Sequence, residues 1–487
     1  MNLNYQNIEF TDETIQKLFG YEAAEDEDID RLKEYYFKND IFGRVTSDLP
    51  LRVLVGHKGI GKSALFKVAM DEDLEKKRLP ILIKPDDIAD LGKNSNDFLQ
   101  IIRDWKRGLQ EIISKKVLNS LGIQNDANSL SKLTSYGGKI VSFLTETIKG
   151  IDRELDLDDL KKSLVLNFLK NGRINVYIDD LDRGWVSKKE DIYRISALLN
   201  SVRDISNDNK GLNFKLSLRS DVYYLVRTSD ESTDKIENSV IWYSWENQEI
   251  LLMLIKRIET FYGHEFDINK FRELRSFNPS VYLGNVFETN FTGAGKWQNA
   301  PISKVLMSMI RKRPRDLIKL CTLSAREAYQ KRKNIIGTEN LRAIFEEYSQ
   351  GRIQDTINEY KSELPQIERL ILGMKPSKRT IKAEDSFVYS TQELFLKINK
   401  VIEQGKFSFA HGSIAHAKDL AHFLYKINFL TARKVLETGE IDRKYFEENR
   451  YLSNNFVDFG YDWEVHPAYR WALQPDRIGD IFNKLDL

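Results

Sequence analysis

Cysteine is almost absent from this 487-residue chain: Cys321 stands alone. That excludes an intrachain disulfide and a thiolate zinc cluster, and a reducing compartment is the expected setting. Net charge is also nearly absent, because 74 Lys and Arg face 73 Asp and Glu, leaving +1. Such balance supplies no global attraction to nucleic acid or to an anionic membrane, so any basic surface has to be local. No stretch approaches the roughly 18 consecutive apolar residues of a membrane span. The opening MNLNYQNIEFTDETIQ lacks the basic end and apolar core of a signal peptide. A cytoplasmic protein without membrane contact is the expectation.

The length is too great for one ordinary domain. Residues 1–45 have helical spacing, and the acidic run Glu25–Asp30 ahead of RLKEYYF has the character of a solvated helix start. Leu51–Val55 (LRVLV) is a short β-branched apolar run that stops at glycine, which predicts a buried strand. ALFKVAMDEDLEKK predicts a helix after it. Pro80–Lys84 (PILIK), Ile174–Ile178 (INVYI) and Asn213–Leu218 (NFKLSL) predict further strands, with a helix over Asp191–Asp204 between the last two. Alternation of strands and helices implies a mostly parallel, doubly wound α/β sheet. The stretch from about 95 to 170 predicts a helical insertion, broken by a loop at NDANSLSKLTSYGGK.

Beyond residue 240 strand signals fade, and WENQEILLMLIKRIETFYG and the residues from Ile302 to Gln350 predict helices. Helical patterns at IERLILGM, TQELFLKINKVIEQ and KDLAHFLYKIN precede FLTARKV and NNFVDFGYDWEVHP, an order of helices and then a β-ribbon that suggests a winged-helix-like α+β module. The expected organisation is an N-terminal helical segment over 1–45, the α/β core over 46–240, a helical lid over 241–354 and the α+β module over 355–487.

Gly56-His57-Lys58-Gly59-Ile60-Gly61-Lys62-Ser63 matches G-x-x-x-x-G-K-[ST] between the first predicted strand and the helix after it. Glycines let the backbone wrap so that successive N–H groups face phosphate oxygens, and the helix aims its positive end at the same place. Lys62 reaches the β- and γ-phosphates and Ser63 offers its hydroxyl to Mg²⁺. The strand INVYI delivers two carboxylates, Asp179 for the metal and Asp180 to orient or deprotonate the attacking water. The expected cofactors are therefore ATP and Mg²⁺. No guanine-specifying N-K-x-D motif occurs, which leans the base toward adenine.

The run Ile178-Asp179-Asp180-Leu181-Asp182-Arg183 resembles the acidic motif of KAP-type P-loop ATPases, relatives of the STAND and AAA+ groups. Arg311-Lys312-Arg313-Pro314-Arg315-Asp316 resembles the Arg-Pro-Arg-Asp segment in the lid of such proteins. Gly20-Tyr21-Glu22-Ala23-Ala24-Glu25, with Tyr36-Phe37 downstream, is similar to the opening of a little-characterised bacterial family whose genes often lie near phage-defence genes. The resemblance spans roughly residues 15–330. It implies that Arg313 or Arg315 senses the γ-phosphate. Arg219, with Asp221 at the end of NFKLSL, is implied either as a first sensor or finger for a neighbouring subunit, or as a structural ion pair. It also implies a homo-oligomer or a separate effector protein. Two departures stand out: KAP-type proteins often carry membrane helices inside this domain, and AAA+ enzymes usually place Glu where this chain has Asp180.

Other signals carry no chemistry. His57 occupies a variable loop position, and His411, His416 and His422 have poor spacing for a metal on one helix face. Cys321 fits a buried apolar site. The winged-helix-like module suggests either packing on the ATPase core or, with its basic residues, duplex DNA; its acidic stretches favour packing. Three functions remain open: a nucleotide-dependent switch in defence or stress signalling, a DNA-dependent motor or loader, and a scaffold that binds nucleotide without turnover.

Overall fold

The computed structural model describes residues 7–121 apart from 94 and 96, 139–151, 159–267, 278–376 apart from 294, 387–437, 441–449 and 460–473. The chain divides into two units: Met1–Phe37, Gly59–Gly61 and Ser244–Leu487 form the first, and Lys38–Lys58 and Lys62–Tyr243 the second. In chain order the opening elements are α1 (Asp12–Phe19), α2 (Ile29–Tyr35), α3 (Asp40–Thr46), β1 (Leu51–Val55), α4 (Lys62–Glu75), β2 (Leu79–Ile83) and α5 (Phe98–Ser120).

The second unit is built on a five-stranded sheet of order β2-β3-β4-β1-β5, where β3 is Ile174–Ile178, β4 is Leu212–Leu218 and β5 is Val240–Trp242. Every pairing is parallel. This is the doubly wound α/β sheet expected from the alternation of strands and helices. β5 is a strand that the sequence hides, because three residues are too few to show a period.

Register explains which residues form the core. Ile83, Ile178, Leu216, Val53 and Val240 pair in one row across all five strands. This face is covered by α5 and by helix Lys189–Asp208, which pack on each other. In α5 the stripe Ile101, Trp105, Leu109, Ile113 and Val117 recurs every four residues and is buried. Each such side chain contributes about 1.5–3 kcal/mol on burial. Asp97 caps α5 by accepting from the N–H groups of Leu99 at 2.8 Å and Gln100 at 3.1 Å. The insertion continues in helices Ile140–Ile151 and Asp159–Asn171. Its expected loop at residues 125–139 lies outside the described residues save for Lys139.

The opposite face is polar. Tyr177, Lys215 and Arg52 form one row, and Asn175 and Asn213 the next. Asp73 of α4 accepts from Asn175 Nδ2 and from the Tyr177 hydroxyl, each at 2.7 Å. Buried Lys215 donates to the Ser47 carbonyl at 2.6 Å, and burial pushes its pKa down to about 8.

In the first unit, α1 and α2 are capped by Thr11 and Asp28. The acidic run is therefore a helix start, as its composition suggests, with one correction. Glu27 is 3% exposed and serves as a buried acceptor rather than a solvated acid. Helices Asn247–Phe261, Ile302–Ser308, Pro314–Gln330 and Thr338–Tyr360 follow, and Cys321 is buried on the third. A small antiparallel pair, Asn290–Phe291 with Ala300–Pro301, has no signal in the sequence.

Helices Ile367–Gly373, Thr391–Glu403 and Ala417–Lys426 accompany a four-stranded sheet, one strand of which lies between the first two helices in the chain. Its strands are Val388–Tyr389, Leu430–Val435, Ile441–Lys444 and Asp462–Val465, and the pairings are antiparallel. The helices and the later strands follow the expected α+β pattern, but Val388–Tyr389, which pairs with Asp462–Val465 ahead of the second helix, is a strand that the sequence reading lacks. No helix among the described residues is long and apolar enough to cross a membrane.

Candidate functional site

In the second unit β1 runs into the glycine loop, and the Gly56 N–H donates to the Leu218 carbonyl at 3.1 Å. α4 begins at Lys62, so Lys62 and Ser63 occupy its first turn, where N–H groups lack intrahelical acceptors. The Lys62 ammonium folds back over the loop and donates to the carbonyls of Gly56 at 2.7 Å and His57 at 3.1 Å. His57 is buried, and its Nδ1 lies 3.0 Å from the Ser220 hydroxyl, which ties the loop to the residue after Arg219. Lys58 is exposed.

Gly59, Ile60 and Gly61 group with the first unit. Gly59 has φ +79° and Gly61 φ +102°, backbone conformations that side-chain-bearing residues avoid. The buried Ile60 offers its carbonyl to Trp245 Nε1 at 2.9 Å.

The carboxylates stand where β3 ends. Asp179 continues the sheet by donating its N–H to the Ile83 carbonyl at 3.3 Å. Its Oδ1 accepts from the Ser217 hydroxyl and from the Asp180 N–H, the latter at 2.9 Å. β4 lies between β1 and β3, so the loop strand and the carboxylate strand are two spacings apart, roughly 10 Å. Both end on the same edge of a parallel sheet, the edge where ligands bind in open α/β folds. Asp180 is exposed with φ +58°, a left-handed conformation uncommon outside glycine. Arg183 stands 3.9 Å from its carboxylate.

Arg219 is 8% exposed. Its fork grips Asp221 through Nε at 3.0 Å and Nη2 at 2.5 Å, and Nη1 reaches Asp182 at 3.4 Å. The guanidinium thus contacts two carboxylates of its own chain.

The three arginines of the Arg-Lys-Arg-Pro-Arg-Asp segment have separate surroundings in the first unit. Arg311 pairs with Asp316 at 2.7 Å and donates to the Tyr469 hydroxyl at 2.8 Å. Burial alone would raise the Asp316 carboxyl, but Arg311 and Arg352 beside it hold it well below the usual carboxylate range. Arg313 is 2% exposed and its Nη1 donates to Glu359 at 3.4 Å; its Nε and Nη2 have no partner among the described residues. Arg315 alone meets the glycine loop, donating its main-chain N–H to the Gly59 carbonyl at 3.3 Å. The sequence could not choose between Arg313 and Arg315.

Ser217 escaped sequence reasoning altogether. Its signal was the alternation Asn213, Lys215, Ser217 in a strand otherwise apolar, which marks a polar face.

These groups fit a magnesium nucleotide. Glycine-only turns leave room for close backbone approach, an ammonium and a hydroxyl share the first helical turn, and a carboxylate ends a strand on the same sheet edge. No cluster of three or more His, Cys, Asp or Glu fit for a metal occurs among the described residues. Mg²⁺ fits such a site, since it takes one or two protein oxygens and completes its shell from phosphate and water.

Residues 278–357 match the family described as the FunZ-associated C-terminal helical domain. They cover the helices from Ser280 to most of Thr338–Tyr360. An 80.3 kDa Escherichia coli (strain K12) protein named for transposon gamma-delta is 20% identical over 484 residues. The match covers 89% of this chain and 65% of that protein, so the chain spans less than two thirds of its relative's length. Solved structures with weak likeness include the Aeropyrum pernix ORC2 protein in ADPNP–ADP complexes, 12% identical with a TM-score of 0.33, covering 91% of this chain and 90% of that one. They also include the Aeropyrum pernix ORC1 protein in complex with DNA, 12% identical with a TM-score of 0.35 over 93% and 92% of the two chains. Drosophila ORC bound to DNA is 9% identical, with a TM-score of 0.34 over 99% and 93%.

Proposed function

We propose that the chain is an Mg-ATP hydrolase of the AAA+-related P-loop class that acts as a nucleotide-dependent switch. The observation that carries this reading is the loop Gly56–Ser63 between β1 and α4, with left-handed Gly59 and Gly61 and the Lys62 ammonium folded over it. Bound Mg-ATP supplies an electrophilic γ-phosphorus and a cation that offsets its charge. Lys62, which now donates to the loop carbonyls, would serve phosphate oxygens. Ser63 and Asp179 would hold the metal, with the Ser217 hydroxyl fixing the rotamer of Asp179. Asp180, exposed at the strand end, orients the attacking water. Of the two lid arginines, Arg315 is the better γ-phosphate sensor because its backbone touches the loop. Arg219 orients Asp182 and Asp221 and is not a finger for a neighbour.

The partners in this reading are a second copy of the chain or a separate effector, and the defence or stress role rests on the resemblance of the N-terminal motif alone. Hydrolysis should vanish in Lys62→Ala and a shift in gel-filtration mass should follow ATP in the wild type. Unchanged nucleotide binding and turnover in Lys62→Ala would defeat the reading. Binding without turnover in the wild type would leave the scaffold.

A DNA-dependent motor is the second reading. It is favoured by the hairpin of Leu430–Val435 and Ile441–Lys444, which presents Lys434 with exposed Val435 and Leu436 in the winged-helix-like module, and by the relative named for a transposon. Against it, Arg443 is spent on Glu464 and Lys444 on Asp442. Strong stimulation of hydrolysis by double-stranded DNA would replace the switch with the motor.

A further inference from the structure

We infer that the loop from Gly20 to Glu27 is a positioning strap for Arg315: Glu22 holds the arginine and its helix, and Glu27 holds the loop. The functional consequence rests on the nucleotide-site reading above; the physical link does not. Every contact lies within the first unit. Arg315 Nε donates to the Glu22 carbonyl at 3.0 Å. Lys319, one turn along the same helix, meets the Glu22 carboxylate at 2.9 Å.

Glu22 is itself exposed, so its place must be set by its neighbours. The Tyr21 N–H donates to Glu27 Oε2 at 2.9 Å, and the same oxygen accepts the Tyr35 hydroxyl at 2.6 Å. Arg257 lies over the Tyr35 ring, 4.2 Å from its centre, and donates to the Phe19 carbonyl. Gly20 makes the turn with φ +73°, and a Cβ there would stand 2.6 Å from Arg257 Nη1 and 2.7 Å from the Tyr35 hydroxyl. The loop is therefore fixed from within by a buried carboxylate, a half-buried arginine and a turn that only glycine makes.

What the strap holds is an arginine whose backbone already touches Gly59. Its Nε is occupied by Glu22, while neither terminal nitrogen donates to a protein group among the described residues. That is a guanidinium ordered in advance, with the two ends of its fork left for an anion. Ordering a long side chain before the ligand arrives removes an entropy loss that binding would otherwise have to offset.

The test uses the full chain and the variants Tyr35→Phe, Lys319→Ala and Glu27→Gln; the first two keep the buried carboxylate in case the third does not fold. Without nucleotide, amide hydrogen exchange over residues 20–27 and 313–319 should rise about fivefold or more, with the melting curve of the rest unchanged. With ATP as the probe, affinity should fall about tenfold in the wild-type background. In an Arg315→Ala background the same changes should have no further effect. Unchanged exchange at 313–319, or losses that multiply with Arg315→Ala, would overturn the strap. A wild-type chain that neither binds nor hydrolyses ATP would overturn the site reading instead, and the exchange arm would still decide the strap.

Discussion

The main-chain N–H of Arg315 donates to the carbonyl of Gly59 at 3.3 Å, and a Cβ placed on Gly59 would stand 3.1 Å from the Arg315 Cβ. Gly59 also has φ +79°, so a side chain there would meet both a strained backbone and a crowded neighbour. Gly59→Ala should strain the loop by about 1–3 kcal/mol. Calorimetric titration with ATP should show affinity reduced tenfold or more, with a melting temperature only a few degrees lower.

Ser217 donates to the carboxylate of Asp179 from the neighbouring strand. Removing the hydroxyl frees the carboxylate to rotate without opening a large cavity. Ser217→Ala should lower kcat about tenfold while thermal unfolding stays within about 1 kcal/mol of wild type. Ser217→Thr should restore most of the rate, because it keeps the donor.

Arg219 and Asp221 form a bidentate pair that is almost wholly buried. Removing one partner leaves the other charge buried and uncompensated, a loss of about 3–5 kcal/mol. Arg219→Ala should therefore lower the urea midpoint markedly. A finger acting on a neighbouring subunit would instead lose turnover with stability unchanged, and that outcome would restore the intersubunit role.

His466 makes the chain sensitive to acid. Its Nδ1 accepts from the Ala468 N–H at 3.1 Å, and its Nε2 lies 3.0 Å from the Tyr445 hydroxyl. A ring nitrogen that accepts cannot carry a proton, and burial, with Arg311 and Arg443 near, lowers the pKa to about 3. The folded value lies below the unfolded value of about 6.5. The stabilisation is thus complete above pH 6.5 and is lost as pH falls toward 3, by up to about 1.4 kcal/mol per pH unit. His466→Asn, which can cap the same N–H but does not titrate, should flatten the profile of urea unfolding between pH 6.5 and 5.

Much of the core was legible before any coordinate. LRVLV and INVYI are apolar runs bounded by glycine or by acids, and strands buried on both faces have that signature. β5 and the pair at Asn290–Phe291 and Ala300–Pro301 were not legible, because two or three residues cannot display a period. The acidic run showed the same limit in another form. Composition marks it as a helix start, which Asp28 and Asp30 bear out, yet Glu27 in its midst is buried against Tyr35. Nothing in a run of acids distinguishes the one that folds inward.

What the sequence determined by itself was local: the glycine loop, its strand and helix, and the carboxylates at the end of a neighbouring stretch of sheet. Each depends on backbone geometry that neighbouring residues impose. What only the tertiary structure decided was partnership. It gave Arg315 rather than Arg313 to Gly59, set Ser217 beside Asp179, and committed Arg219 to Asp221 and Asp182. Those choices turn on which side chains a sheet register and a helix docking bring within hydrogen-bond reach, at separations along the chain that no local pattern records.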